Sequence, residues 1–137
     1  MNAPDFMDSN VLVYAYDPNE PRKQQIAQAL VHKALEGEVI ASPQVLAEFS
    51  ATLLHKASPP LPPEKVIIIL DTLGPIKLVL ADLGTVRRAV EARNRFGIRF
   101  YDGMIVAAAE RGGCRRIWSE DLNAGQEYFG VRVENPF

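Results

Sequence analysis

Phe6-Met7-Asp8-Ser9-Asn10-Val11-Leu12 sets a polar triplet inside an otherwise apolar run. A short apolar run reads as a buried strand, and an acid and an amide at its carboxyl end stand where open α/β sheets form their ligand crevice. Asp8 is thus the first candidate for chemistry. An ionised carboxylate beside a hydrophobic core is costly unless something pairs with it, so the remaining residues matter for what they bring to Asp8.

Beyond Asn10 the chain stays apolar from Val11 to Tyr16 and stops at the turn formers Asp17-Pro18-Asn19-Glu20-Pro21. From Arg22 to Leu35, Ile26, Ala27, Leu30, Val31, Ala34 and Leu35 recur at helical spacing, and Gly37 supplies a stop. Val39-Ile40-Ala41 reads as a second strand. Ser42-Pro43 then opens a helix, with Ser42 as N-cap and Val45, Leu46, Phe49, Leu53 and Leu54 as its apolar face. Glu48 has no polar neighbour and is expected near that stripe, not on the solvent face. The prolines from Pro59 to Pro63 form a stiff connector to a helix running to Leu73, so the two helices make an arm. Ile76 to Leu80 resembles a third strand. Asp82 caps a helix from Leu83 to about Phe96 that Gly97 ends, and Asp102 caps, or lies in the first turn of, a small-residue helix over Met104 to Glu110. Arg116-Ile117-Trp118 is a fourth strand, followed by Ser119-Glu120-Asp121-Leu122-Asn123, and Val131-Arg132-Val133 is a fifth. Strands alternating with helices predict an α/β fold: a mostly parallel central sheet, helices on both faces as three α/β/α layers, and right-handed crossovers. With 137 residues the chain is expected to form one domain, residues 1–137.

Apolar residues at 47% and charged residues at 23% are ordinary globular values, and a net charge of −2 gives no global attraction to nucleic acid. Any such binding must be local. The densest basic region is Arg87, Arg88, Arg93, Arg95 and Arg99, partly offset by Glu91, with Arg22 and Lys23 elsewhere. Cys114 is the single cysteine, which excludes an internal disulfide and a thiolate zinc cluster and fits a reducing compartment. No stretch carries an export signal or is long and apolar enough to span a bilayer, so the expected location is cytoplasmic.

In this arrangement Asp8 and Asp121 follow strands at one sheet edge, and Glu48 and Asp102 sit on helices able to present them there. Taken singly, each acid reads as a cap, a turn residue or a paired helix residue. Four carboxylates in one crevice would repel, raise one another's pKa and call for a divalent cation. Oxygen-only ligands point to Mg²⁺ or Mn²⁺, and His32 and His55 lie on helix faces away from the acidic turns. A metal among acids suits phosphodiester hydrolysis by a metal-activated water. No Ser-His-Asp set, P-loop or dinucleotide glycine motif competes with it.

These residues also carry a family resemblance. Met7-Asp8-Ser9-Asn10-Val11-Leu12, Ala47-Glu48-Phe49, the run from Phe100-Tyr101-Asp102-Gly103 through Ala109, and Ser119-Glu120-Asp121-Leu122-Asn123 resemble, in order, the four motifs of a PIN domain of the VapC-type toxin ribonucleases. The resemblance implies metal-binding roles for Asp8, Glu48, Asp102 and Asp121, with Asn10 and Ser119 supporting them. It implies an RNA substrate, a homodimer, and a small antitoxin in a groove formed partly by the arm after Ser42. Gly103 stands where the motif more often has alanine, a change expected to be tolerated. Two other readings compete: a haloacid-dehalogenase-like phosphatase, which wants a second aspartate where Asn10 stands, and a PIN-like scaffold that binds without catalysis.

Overall fold

The apolar run that holds Asp8 changes conformation within itself. In the computed structural model, which describes residues 2–137, strand β1 covers only Asp5–Met7 and helix α1 begins at once, Ser9–Tyr14. The expected strand is therefore shorter, and the apolar stretch after Asn10 is helical. The reason is local. Asp8 accepts a hydrogen bond from Ser9 N–H at 2.8 Å as N-cap, and Val11, Leu12 and Ala15 then bury one side of a turn of helix.

Helix α2 (Pro21–Leu35), strand β2 (Val39–Ile40) and helix α3 (Pro43–His55) follow as the sequence predicts, Ser42 capping α3 through Val45 N–H. After the proline connector comes α4 (Pro63–Thr72), and Leu61 N–H donates back to the Leu53 carbonyl at 2.9 Å, closing the arm on itself. Residues 76–80 do not form the expected strand. Only Leu78 bridges Ala41, just past the end of β2, because β2 itself is two residues long and offers no further partner.

Helix α5 (Leu83–Phe96) starts with reciprocal capping between Asp82 and Thr85 and ends at Gly97, whose φ of 69° is the left-handed conformation that favours glycine. Helix α6 runs from Phe100 to Arg111, starting earlier than its alanine run suggests, so Asp102 lies in its first turn and is not the cap. Strands β3 (Arg116–Trp118), β4 (Glu127–Tyr128) and β5 (Val131–Glu134) complete one sheet in the order β2-β1-β3-β5-β4. All pairings are parallel except β4 with β5, and helices surround the sheet in the α/β/α layering expected. Strand β4 had no sequence signal: two residues after Gly125 are too few to show an alternation. The core runs from Phe6, Val39, Ile40, Ile117 and Val133 of the sheet to Phe49 of α3 and Ile105 and Val106 of α6. Among the described residues no helix is long and apolar enough to cross a membrane.

Asp5, a buried acid with no part in the sequence reading, is held by Arg115 and Arg116 at 3.2 and 3.1 Å and by the Trp118 indole N–H at 3.2 Å. Its partners lock β1 to β3 at the start of the strands, while Asp8 leaves from their carboxyl ends. Such pairing is what a buried carboxylate needs.

Gly103 proves to be a packing requirement. A Cβ built there would lie 2.7 Å from the Ala89 carbonyl oxygen, because the backbone of α5 comes against α6 at this point. The expectation of tolerance is corrected: backbone, unlike a side-chain tip, cannot step aside. Gly103→Ala should lower stability by about 1–3 kcal/mol despite its better helix propensity, read as an earlier midpoint in urea; an unchanged or later midpoint would show that the helices have room to part.

Candidate functional site

Asp8 stands at the junction of β1 and α1 with only 5% of its surface exposed. Its carboxylate accepts three hydrogen bonds: from Ser9 N–H at 2.8 Å, Ser119 Oγ at 2.8 Å and Asn10 Nδ2 at 3.2 Å. Asn10 is the hub. Its Nδ2 also donates to Asp121 Oδ2 at 3.2 Å and to Ser119 Oγ at 3.3 Å, while its Oδ1 accepts from Glu120 N–H at 2.9 Å. Ser119 is fully buried, and its Oγ accepts from the backbone N–H groups of Asp121 and Leu122, both at 3.2 Å. One amide and one hydroxyl thus tie residues 8 and 121 together across more than a hundred residues of chain.

Burial pushes the Asp8 carboxyl above the usual carboxylate range; the hydrogen bonds from Ser119 and Ser9 pull it back, and the charges of Asp121 and Asp102 push it up again. Glu48 is also raised, first by burial and then by the Asp8 charge, with Asp102 contributing less. Asp121 and Asp102 therefore place negative charge around Asp8, and Asp8 and Asp102 around Glu48, although Asp121 and Glu48 stand at the exposed rim. This corrects the expectation for Glu48. The buried face of α3 is Val45, Phe49 and Leu53, and Glu48 falls beside that stripe on the open side. Asp102 is paired with the largely exposed Arg99 at 3.1 Å, an i,i+3 contact within the first turn of α6.

Among the described residues no three acids, histidines or cysteines are already drawn into a metal cage. What the site offers is a set of mutually repelling oxygen donors, one of them buried and short of compensating charge. Oxygen donors of this kind fit the chemistry of a hard divalent cation. His32 and His55 are exposed on α2 and at the end of α3, and Cys114 is buried with its thiol pushed up to about 12, first by burial, which keeps it unreactive. Two residues that sequence reasoning missed complete the surroundings. Tyr128 of β4 is fully buried, and burial pushes its hydroxyl pKa up, with Asn123 pulling it back and the Asp102 charge adding a smaller push. Glu120 is bound by Lys23 and Tyr14. Only a spatial contact reveals either of them.

The expected basic face is partly used up inside the molecule. Arg88 is held by Glu110 at 2.8 and 2.9 Å and by Glu91 at 2.7 Å, and its guanidinium lies 3.5 Å from the Phe129 ring centre. Lys23 is committed to Glu120 at 2.6 Å. Arg87 and Arg99 keep most of their surface in water, so their surface ion pairs are weak and exchangeable.

The sequence matches the PIN domain family over residues 6–126. No curated protein matches it. Among solved structures, the fold is shared with VapBC2 from Rickettsia felis bound to a DNA fragment from its promoter, at 17% identity and a TM-score of 0.67 over 96% of this chain and 97% of that one. It is shared likewise with FitAcB from Neisseria gonorrhoeae, at 19% identity and a TM-score of 0.65 over 96% and 97%. FitAB bound to the IR36 DNA fragment gives 20% identity and a TM-score of 0.67 over 96% and 94%. At these identities the neighbours speak to fold, and the family match covers most of the chain with Asp8, Glu48, Asp102 and Asp121 all inside it. The chain belongs to the PIN domain family, whose members are nucleases.

Proposed function

We propose that residues 1–137 act as one PIN domain and that the chain is an endoribonuclease dependent on Mg²⁺ or Mn²⁺, the toxin of a type II toxin-antitoxin pair. The observation that carries this reading is the buried Asp8 carboxylate, joined through Asn10 and Ser119 to Asp121 and repelled by Asp102 and Glu48. Such an arrangement opposes its own ionisation until a cation is added. When bound, a divalent ion lowers the pKa of a water and polarises a phosphoryl oxygen. Asp8, Glu48, Asp102 and Asp121 would hold it. Asn10 and Ser119 orient the acids, and Asn10 occupies the place where a phosphatase of the haloacid-dehalogenase type needs its second aspartate. Arg99 and Arg87, exposed and exchangeable, are cations available to follow an RNA backbone.

The VapC-type resemblance of the four motifs implies a homodimer and a small antitoxin on the arm made by α3 and α4, and the fold shared with a VapBC complex supports the antitoxin partner. Metal titration by calorimetry separates catalysis from the scaffold reading, since a scaffold need not take up Mn²⁺ at these acids.

Asp8→Asn and Asp102→Asn should each reduce RNA cleavage by more than the roughly 10- to 100-fold typical of removing a ligand's outer-shell support. Their circular dichroism spectra should match the parent chain. Chelation with EDTA should stop cleavage and Mn²⁺ restore it; cleavage at the parent rate in either variant would remove the mechanism.

The raised Asp8 pKa gives a separate test without metal. An acid whose folded pKa lies above its unfolded value binds its proton more tightly when folded, so acidification favours the folded parent chain relative to a variant with no such group. Compared with Asp8→Asn, the metal-free parent should therefore gain stability as the pH falls from neutral towards about pH 4. Urea midpoints measured in parallel give the difference, and a parent that loses ground on acidification would mean that its Asp8 is stabilised as the anion.

A further inference from the structure

Glu120 lies between Ser119 and Asp121, both of which serve the acid site, yet its own carboxylate is engaged elsewhere. Tyr14 Oη of α1 donates to it at 2.7 Å and Lys23 Nζ of α2 at 2.6 Å, while Lys23 also donates to Tyr14 Oη at 3.3 Å. The Phe137 ring packs edge-on against Tyr14 at 4.9 Å, Lys23 lies 4.7 Å and 5.5 Å from the two ring centres, and Arg22 donates to the Phe137 carbonyl at 3.0 Å. Tyr14, Glu120 and Phe137, from three separate segments, are thus gathered around the Lys23 side chain, with Lys23 and Glu120 only 24% and 27% exposed.

The other end of the same residue reaches the acids. Glu120 N–H donates to Asn10 Oδ1 at 2.9 Å, which decides the direction of the amide and leaves its Nδ2 for Asp8, Ser119 and Asp121. Glu120 is thus fixed at both ends, its carboxylate by Tyr14 and Lys23 and its peptide N–H by the amide that spaces residues 8 and 121. An isolated ion pair this close to the surface adds little to stability. One joined rigidly to a ligand-bearing loop instead does what outer-shell groups do at metal sites, which is to hold the ligands in place.

We propose that Tyr14, Lys23 and Glu120 form a positioning clamp that sets the spacing of Asp8 and Asp121 and thereby the affinity of the site for a divalent cation. The proposal deepens the nuclease reading and rests on it for the cation. None of the three residues touches substrate; they are positioning residues.

The test combines Mn²⁺ titration calorimetry with amide hydrogen exchange on the full chain, for the parent, Glu120→Ala and Glu120→Gln. Glu120→Ala should weaken Mn²⁺ binding by about 10- to 100-fold. It should also speed exchange of the Asp121 and Leu122 amides, both bonded to Ser119 Oγ, by about tenfold or more. Glu120→Gln keeps an acceptor for Tyr14 and Lys23 and should recover most of both losses. In cleavage assays Glu120→Ala should lower kcat at limiting Mn²⁺ with KM for RNA unchanged, and excess Mn²⁺ should restore kcat. Mn²⁺ affinity and amide exchange both within about twofold of the parent in a folded Glu120→Ala would overturn the clamp. A parent chain that takes up no Mn²⁺ would sink the nuclease reading alone. The exchange arm then judges the clamp: acceleration in Glu120→Ala supports it and unchanged rates overturn it.

Discussion

A carboxylate that is buried, hydrogen-bonded and surrounded by other acids is the constraint on which this molecule turns. Asp8 is needed for structure because it caps α1 and ends β1, and its position at the strand terminus draws Ser119 from the end of the neighbouring parallel strand. Three neutral donors lower the cost of its charge without removing it. The contrast with Asp5, three residues earlier on the same strand, is instructive. There two arginines and an indole meet the acid, and its charge is spent within the fold. No arginine or lysine bonds to Asp8 among the described residues, and its charged neighbours are acids. One end of the sheet is closed electrostatically and the other is left open to an added cation.

The surroundings keep that open end from collapsing. Parallel pairing of β1 with β3 brings the ends of both strands side by side, so the loop after Trp118 arrives where α1 begins. The tight contact of α6 with α5 at Gly103 sets the first turn of α6, and with it Asp102. Glu48 arrives from α3 on the open flank of the same helix that buries Phe49. Asp8 comes from the β1–α1 junction, Glu48 from α3, Asp102 from α6 and Asp121 from the loop after β3, and apolar packing anchors these segments alongside the ion pairs of Asp5 and Glu120. Core burial and these pairs together supply the work of holding like charges near one another.

Much of this was legible in the chain itself. The alternation of strand and helix patterns, the Ser42 and Asp82 caps and the acids at strand ends were all readable, because caps and apolar periodicity are local signals. The failures are those of non-local structure. Residues 76–80 have strand composition but no partner, since β2 ends too soon. Strand β4 exists only because β5 folds back on it. The helical α1 hid inside an apolar run too short to show a period. For the site, the sequence offered the four acids, Asn10 and Ser119, but not which were buried. Glu48 was expected near the apolar stripe of α3 and off the solvent face, and it lies beside that stripe but exposed, while the roles of Glu120, Lys23 and Tyr14 depend on contacts between distant segments.

Mn²⁺ soaked into crystals of the chain and located by its anomalous scattering tests the central claim most directly. The account predicts an ion bonded to an Asp8 carboxylate oxygen at about 2.0–2.2 Å, with at least one of Asp102, Asp121 and Glu48 joining it directly or through water. A well-ordered site whose carboxylates keep their present hydrogen bonds, with Mn²⁺ found only at other surfaces, would contradict it.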